Sequence, residues 1–123
     1  MIISRYFFDS YAIMEILNGN PNFNNYINSK IILTKLNLFE IYSNILKDSD
    51  EENAEKVFEK YSPHTIDYDD EVIKEAAKLW VQHRERKISM TDCIGYILAK
   101  KLGIKFLTGD KEFEDLDNVE FVK

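Results

Sequence analysis

A single cysteine, Cys93, leaves the chain without an internal disulfide, so nothing cross-links the fold and a reducing compartment suits it. Glycine (4 residues) and proline (2 residues) are scarce, which excludes collagen-like repeats and Pro/Gly-rich disorder. No uninterrupted apolar run approaches the ~20 residues of a membrane-spanning helix. Met1 to Phe8 contains Arg5 and leads directly into Asp9, so it has neither the apolar stretch nor the cleavage site of a secretion signal. The expectation is a cytoplasmic protein with no membrane association. Positive charge is in deficit too: 16 Lys and Arg against 22 Asp and Glu give a net charge of −6. That excludes a nucleic-acid coat held by bulk charge, but not a metal-dependent enzyme acting on nucleic acid.

What is present is ample core material. With 45% hydrophobic and 13% aromatic residues over 123 positions, the chain is expected to fold as one domain, residues 1–123, around one core. Ile2 to Phe8 reads as a buried strand, with Asp9-Ser10 starting a short helix from Tyr11 to Leu17 that stops at Asn18-Gly19-Asn20-Pro21. Phe23 to Ile27 suggests another short helix and Lys30 to Leu33 a second strand, after which Thr34 caps a long helix from Lys35 to about Lys47. Ala54, Val57, Phe58 and Tyr61 share one face of the next helix, closed by Ser62-Pro63, and His64 to Ile66 suits a short edge strand. Asp67 or Asp69 caps a helix running to about Arg86, whose apolar stripe of Val72, Ile73, Ala76, Ala77 and Trp80 predicts a buried Trp80. Ser89 and Asp92 form a capping-box-like pair ahead of Ile94, Ile97 and Leu98, and Gly103 closes that helix. Lys105 to Thr108 and Val119 to Val122 are the remaining strands. Strands alternating with helices imply an α/β fold with a mostly parallel sheet covered on both faces.

Most of the acidic residues need only solvent or a helix N-terminus, as in the stretches Asp48 to Glu59 and Asp67 to Glu75. Four have different surroundings. Asp9 and Asp110 follow the carboxyl ends of two strands, the edge at which ligands collect in parallel sheets. Glu40 lies in the apolar run Leu38-Phe39-Glu40-Ile41-Tyr42, where an unpaired carboxylate would cost several kcal/mol. Asp92 lies in the first turn of its helix, tilted back towards the strand ends. Each has an ordinary reading: Asp9 as an N-cap, Asp92 as half a capping box, Asp110 as a turn residue, Glu40 as a snorkelling or ion-paired side chain. As a set they are hard oxygen donors from separate segments, with no His or Cys cluster competing, and they suit Mg²⁺ or Mn²⁺ rather than Zn²⁺. Such ions keep waters and bind phosphate oxygens, which favours phosphoryl chemistry.

Phe8-Asp9-Ser10-Tyr11-Ala12, Asn37-Leu38-Phe39-Glu40-Ile41-Tyr42, Ser89-Met90-Thr91-Asp92 and Thr108-Gly109-Asp110-Lys111-Glu112-Phe113 together resemble the PIN domain, and within it the VapC-type toxin ribonucleases and their single-domain relatives. The resemblance implies a three-layer α/β/α sandwich with a mostly parallel sheet of four to five strands. It also implies a Mg²⁺- or Mn²⁺-dependent endoribonuclease that hydrolyses RNA phosphodiesters with metal-activated water, leaving 5′-phosphate and 3′-hydroxyl ends. Asp9, Glu40, Asp92 and Asp110 would be the acidic catalytic and metal-binding set. Ser10 and Thr108 would contact the metal's water shell or the neighbouring carboxylates, Glu112 could be a fifth acid, and Asn37 and Asn44 could bond to Glu40 or substrate. The implied partners are an RNA substrate, a small antitoxin blocking the acidic groove, and a second copy in a homodimer.

Arg84, Arg86 and Lys87, with Lys111, are the best basic candidates for RNA phosphates, against the alternative of cations decorating a helix C-terminus. Gly95 is expected to allow close helix packing, Gly109 a tight turn, and Cys93 to be a small buried side chain without a histidine partner. His64 and His83 fall in no motif. The competing functional readings are a non-catalytic PIN-like RNA-binding or scaffold module, an RNA-processing nuclease without a toxin role, and a receiver-like or phosphatase-like α/β domain using Asp9 as phosphoacceptor. Against the last, the chain lacks the Asp-x-Asp expected after the first strand of dehalogenase-type phosphatases, since Asp9-Ser10-Tyr11 offers no second acid.

Overall fold

The computed structural model describes residues 3–123; Ile2, the expected first residue of the first strand, lies outside them. The elements run β1 (Arg5–Phe8), α1 (Ser10–Leu17), β2 (Lys30–Ile32), α2 (Lys35–Asp48), α3 (Glu51–Tyr61), α4 (Asp70–Gln82), α5 (Met90–Leu102), β3 (Lys105–Thr108) and β4 (Val119–Phe121). Short 3₁₀ turns occupy Pro21–Tyr26, Ser62–His64 and Lys111–Phe113.

The sheet has four strands in the order β2-β1-β3-β4, all parallel, with Phe7 opposite Ile32 on one side and Phe106 on the other. Residues alternate across it. Phe7 and Phe106 point into a core built with α4, α5 and Phe113, whereas Phe8 and Leu107 point into one built with α1, α2 and α3. Central strands buried on both faces explain why β1 and β3 read as continuous apolar runs rather than alternating ones. The result is the expected three-layer sandwich, and its central pair, β1 and β3, ends at Asp9 and Asp110.

Gly95 sets how closely α5 lies on the sheet. A Cβ there would stand 2.5 Å from a Phe7 ring carbon and 3.1 Å from Phe106, so any larger residue would lift the helix away. Ser89 caps α5 by accepting a hydrogen bond from the Asp92 N–H at 3.0 Å, and Gly103 ends it in the left-handed conformation at φ 70°. The start of α5, with Asp92, is thereby held at the carboxyl edge of the sheet.

Several expectations are corrected. Trp80 is 48% exposed and Ile73 47%, because the face of α4 that enters the core is narrower than the apolar stripe and carries Val72 and Ala76. α4 ends at Gln82 rather than near Arg86, with Arg84 and Arg86 in turns bonded back to Val81 and His83. In place of an edge strand over His64 to Ile66 there is one parallel bridge, Leu33 to Thr65. Pro63 lies in the preceding 3₁₀ turn and has no N–H for a ladder. Phe39 is 74% exposed, so Glu40 does not lie in an apolar interior; Leu38 and Ile41 turn to the core while Glu40 is half-buried. Gly109, expected to allow a tight turn, leads from β3 to the next 3₁₀ turn without a positive φ. Its lack of a side chain matters because a Cβ would overlap the Tyr11 ring and approach the Val122 carbonyl oxygen to 2.5 Å. Cys93 is buried, as expected.

Candidate active site

At the carboxyl edge of the sheet a cleft of about 460 Å³ is lined by Asp9, Ser10, Tyr11, Met14, Glu40, Ser43, Asn44, Ser89 and Asp92. Asp9 enters from the end of β1, Glu40 from α2 on one face of the sheet, and Asp92 from α5 on the other. Residues far apart in sequence therefore share one concavity at the point where the chain leaves β1 and β3 on opposite sides of the sheet, as parallel topologies favour.

Asp9 is 2% exposed and serves two purposes at once. Its Oδ1 accepts the Ala12 N–H at 2.8 Å, capping α1, and its Oδ2 accepts the Thr108 hydroxyl at 2.5 Å. Thr108 Oγ1 in turn accepts the Asp110 N–H at 3.0 Å, so one buried hydroxyl ties the ends of β1 and β3 together. Asp110 Oδ1 caps the following 3₁₀ turn by accepting the Glu112 N–H at 3.0 Å. The helix-capping and turn readings of Asp9 and Asp110 are thus correct for one oxygen of each residue, and they fix the carboxylates in place.

Glu40 is positioned from behind. Ser10 Oγ donates to Glu40 Oε1 at 2.6 Å and accepts from Asn37 Nδ2 at 3.0 Å. Asn37 is itself 1% exposed, with its Oδ1 accepting both the N–H and the hydroxyl of Thr34 at 3.0 Å. The chain Thr34–Asn37–Ser10–Glu40 links the cap of α2 to the start of α1, with Ser10 standing between Asn37 and Glu40.

Burial, followed by the charge of Asp92, raises the Asp9 pKa well above the usual carboxylate value, with a smaller push from Asp110; the bonds from Thr108 and Ala12 oppose it. Burial also raises Asp92, to about 7, with Glu40 and then Asp110 adding to it and a hydrogen bond from Ser89 opposing. No lysine or arginine forms an ion pair with Asp9, Glu40, Asp92 or Asp110 among the described residues. Like charges gathered with no internal counter-ion make a site that stabilises a proton or an added cation.

The donor set fits a divalent ion by charge and by type: carboxylate and hydroxyl oxygens, with the two histidines of the sequence elsewhere. As the side chains stand, no three His, Cys, Asp or Glu residues among those described form a ready cage. Asp9, Glu40 and Asp92 line the cleft, while Asp110 lies beside it, close enough to act electrostatically on Asp9 and Asp92.

The remaining candidates lie elsewhere. Glu112 accepts the Lys87 N–H at 3.3 Å, and Lys111 and Glu112 line a separate surface concavity with Glu85, Arg86, Glu114 and Asp115. Arg84 donates to the Val81 carbonyl at 3.2 Å, and Arg86 forms a fork with Asp115 at 2.8 and 3.0 Å. Ser43 and Met14 are cleft residues that motif reading passed over. Helical periodicity was the available signal, since Ser43 is one turn beyond Glu40 and Met14 one turn beyond Ser10.

No curated protein sequence matches the chain. Solved structures do. A VapC20 toxin of Mycobacterium tuberculosis described as cleaving the sarcin–ricin loop superposes with a TM-score of 0.74 at 16% identity, covering 98% of this chain and 100% of that one. A toxin–antitoxin complex from Klebsiella pneumoniae gives 0.72 at 15% identity over 94% and 95% of the two chains. The DNA-bound VapBC of Salmonella typhimurium gives 0.70 at 17% identity over 98% and 97%. At such identities these likenesses establish the fold. The sequence itself matches the PIN domain model over residues 6–119, a span that runs from β1 to β4 and contains every acid of the cleft; the chain belongs to the PIN domain family.

Proposed function

We propose that the protein is a Mg²⁺- or Mn²⁺-dependent endoribonuclease and the toxin of a toxin–antitoxin pair. The observation that carries this reading is the gathering of Asp9, Glu40 and Asp92 in one open cleft, with Asp110 adjoining and no basic side chain among the described residues paired with them. Asp9 and Asp92, assisted by Glu40 and Asp110, would hold the ion. When bound, it would lower the pKa of a coordinated water and offset charge on the scissile phosphate.

The residues of the chain do the rest. Thr108 and the Ala12 N–H hold Asp9 in one orientation, and Ser10, braced by Asn37, holds Glu40. Fixing these oxygens before substrate arrives lowers the reorganisation cost at the moment of reaction. The uncompensated carboxylates also suit a basic side chain of an inhibitory partner. That agrees with the toxin–antitoxin assemblies among the structural relatives and supports an antitoxin as partner. A homodimer follows from the same family reading.

The test is cleavage of a labelled RNA pool by wild type and Asp9→Asn with Mg²⁺, Mn²⁺ or chelator, on protein refolded to remove any bound antitoxin. Cutting that requires the metal and is lost in Asp9→Asn is expected. Wild-type protein that binds RNA and cuts none of it under any metal condition would instead favour a non-catalytic RNA-binding module.

A further inference from the structure

The basic segment after α4 is only partly available to RNA, because one of its members is committed to another loop. Arg86 places Nη1 2.8 Å and Nη2 3.0 Å from the two carboxylate oxygens of Asp115, and its Nη1 also donates to the Glu112 carbonyl at 2.7 Å. One residue on, the Lys87 N–H donates to Glu112 Oε2 at 3.3 Å, and the Glu112 N–H donates to Asp110 Oδ1 at 3.0 Å. The segment carrying Arg86 continues through Ile88, 5% exposed in the core, to Ser89 and Asp92. The segment carrying Asp115 and Glu112 begins at Asp110 and is anchored by the fully buried Phe113. These segments are remote in sequence, and each supplies one acid of the proposed site.

We propose that Arg86 is a positioning residue that fixes the separation of Asp92 and Asp110, rather than a contact for RNA phosphate. This rests on the nuclease reading above. An exposed ion pair ordinarily contributes little, but a planar fork on one carboxylate with a further bond to a carbonyl has a defined geometry that a lysine could not reproduce. The Arg86 side chain is 27% exposed against 67% for Asp115, so the arginine is the more enclosed partner. Placing Asp92 relative to Asp110 matters because the charges of both act on the same cleft, and residues behind metal ligands commonly shift metal affinity by about tenfold or more.

The test compares wild type, Arg86→Gln, Asp115→Asn and the double variant. In metal-free protein, hydrogen exchange at the Lys87 and Glu112 amides is expected to rise together in either single variant. By calorimetric titration Mn²⁺ should bind about tenfold more weakly in each, and no more weakly in the double variant, because both changes open one clamp. RNA cleavage should lose kcat with KM and its salt dependence unchanged. A phosphate contact predicts the opposite pattern: Asp115→Asn behaves as wild type, while Arg86→Gln raises KM and reduces the salt slope by about one. That pattern, or unchanged exchange in both single variants, overturns the proposal. Wild type that binds no Mn²⁺ and cuts no RNA would refute the nuclease reading and the positioning role with it. Wild type that binds and cuts, beside variants that do both equally well, would refute the positioning role alone.

Discussion

Replacing Asp92 by Asn should make the metal-free protein more stable at neutral and alkaline pH while destroying its activity. In the folded state the Asp92 carboxyl is pushed from its ordinary 3.8 to about 7, chiefly by burial and then by Glu40. Below pH 3.8 it is protonated in both folded and unfolded chains and contributes nothing to the pH dependence. Between 3.8 and about 7 the folded chain keeps a proton that the unfolded chain has released, so stability falls as pH rises, and the full penalty applies above about 7. At 1.36 kcal/mol per pKa unit the penalty is of the order of 4 kcal/mol. Asn removes the charge but remains a partly buried polar group, so a net gain of roughly 2 kcal/mol is expected. For a chain of this length that corresponds to a rise in Tm of about 6–10 °C at pH 8. The measurement is thermal unfolding in EDTA from pH 4 to 8.5, with the gap between variant and wild type closing as pH approaches 4. A gap of constant size across that range, or an Asn variant that melts lower at pH 8, would refute the claim that uncompensated charge in the cleft opposes folding.

Further outcomes follow from the same geometry. Mg²⁺ or Mn²⁺ should raise the Tm of wild type, more at pH 8 than at pH 5.5 because protons compete for the carboxylates, and raise that of Asp9→Asn much less; differential scanning fluorimetry decides this. Asn37→Ala removes the acceptor for two Thr34 donors and the donor to Ser10. It should cost about 1–3 kcal/mol in urea denaturation and lower kcat by freeing Glu40. Ser10→Ala should lower kcat at smaller cost in stability, since Ser10 is half-buried. Gly95→Ala brings a methyl to 2.5 Å from the Phe7 ring and should cost about 1–3 kcal/mol, with an unchanged denaturation midpoint counting against the close seating of α5.

Local chemistry made much of the molecule legible from its residues. β1 and β3 announce themselves as apolar runs because both faces are covered, and α5 has its start in Ser89 and its end in Gly103, signals that act within a turn of the backbone they govern. Asp9 and Asp110 are marked out in the sequence by sitting where strands end. Sequence and structure part company where neighbours from another part of the chain decide the outcome. Trp80 completes a helical stripe, yet it stays half exposed because the core reaches only as far as Val72 and Ala76. The bonds from Arg86 to Asp115 and the Glu112 carbonyl likewise join segments with no local signal for each other in the sequence.

Periodicity and capping follow from steric and hydrogen-bonding preferences spanning a few residues, so the amino-acid order was enough to determine the layers of the sandwich and the segments that end at its carboxyl edge. The electrostatic character of the cleft required the tertiary structure. It depends on distances between Asp9, Glu40, Asp92 and Asp110 and on the lack of a cation pairing with them among the described residues. Charge interactions fall with distance through space rather than along the chain, and those distances exist only once α2, β1, β3 and α5 have come together.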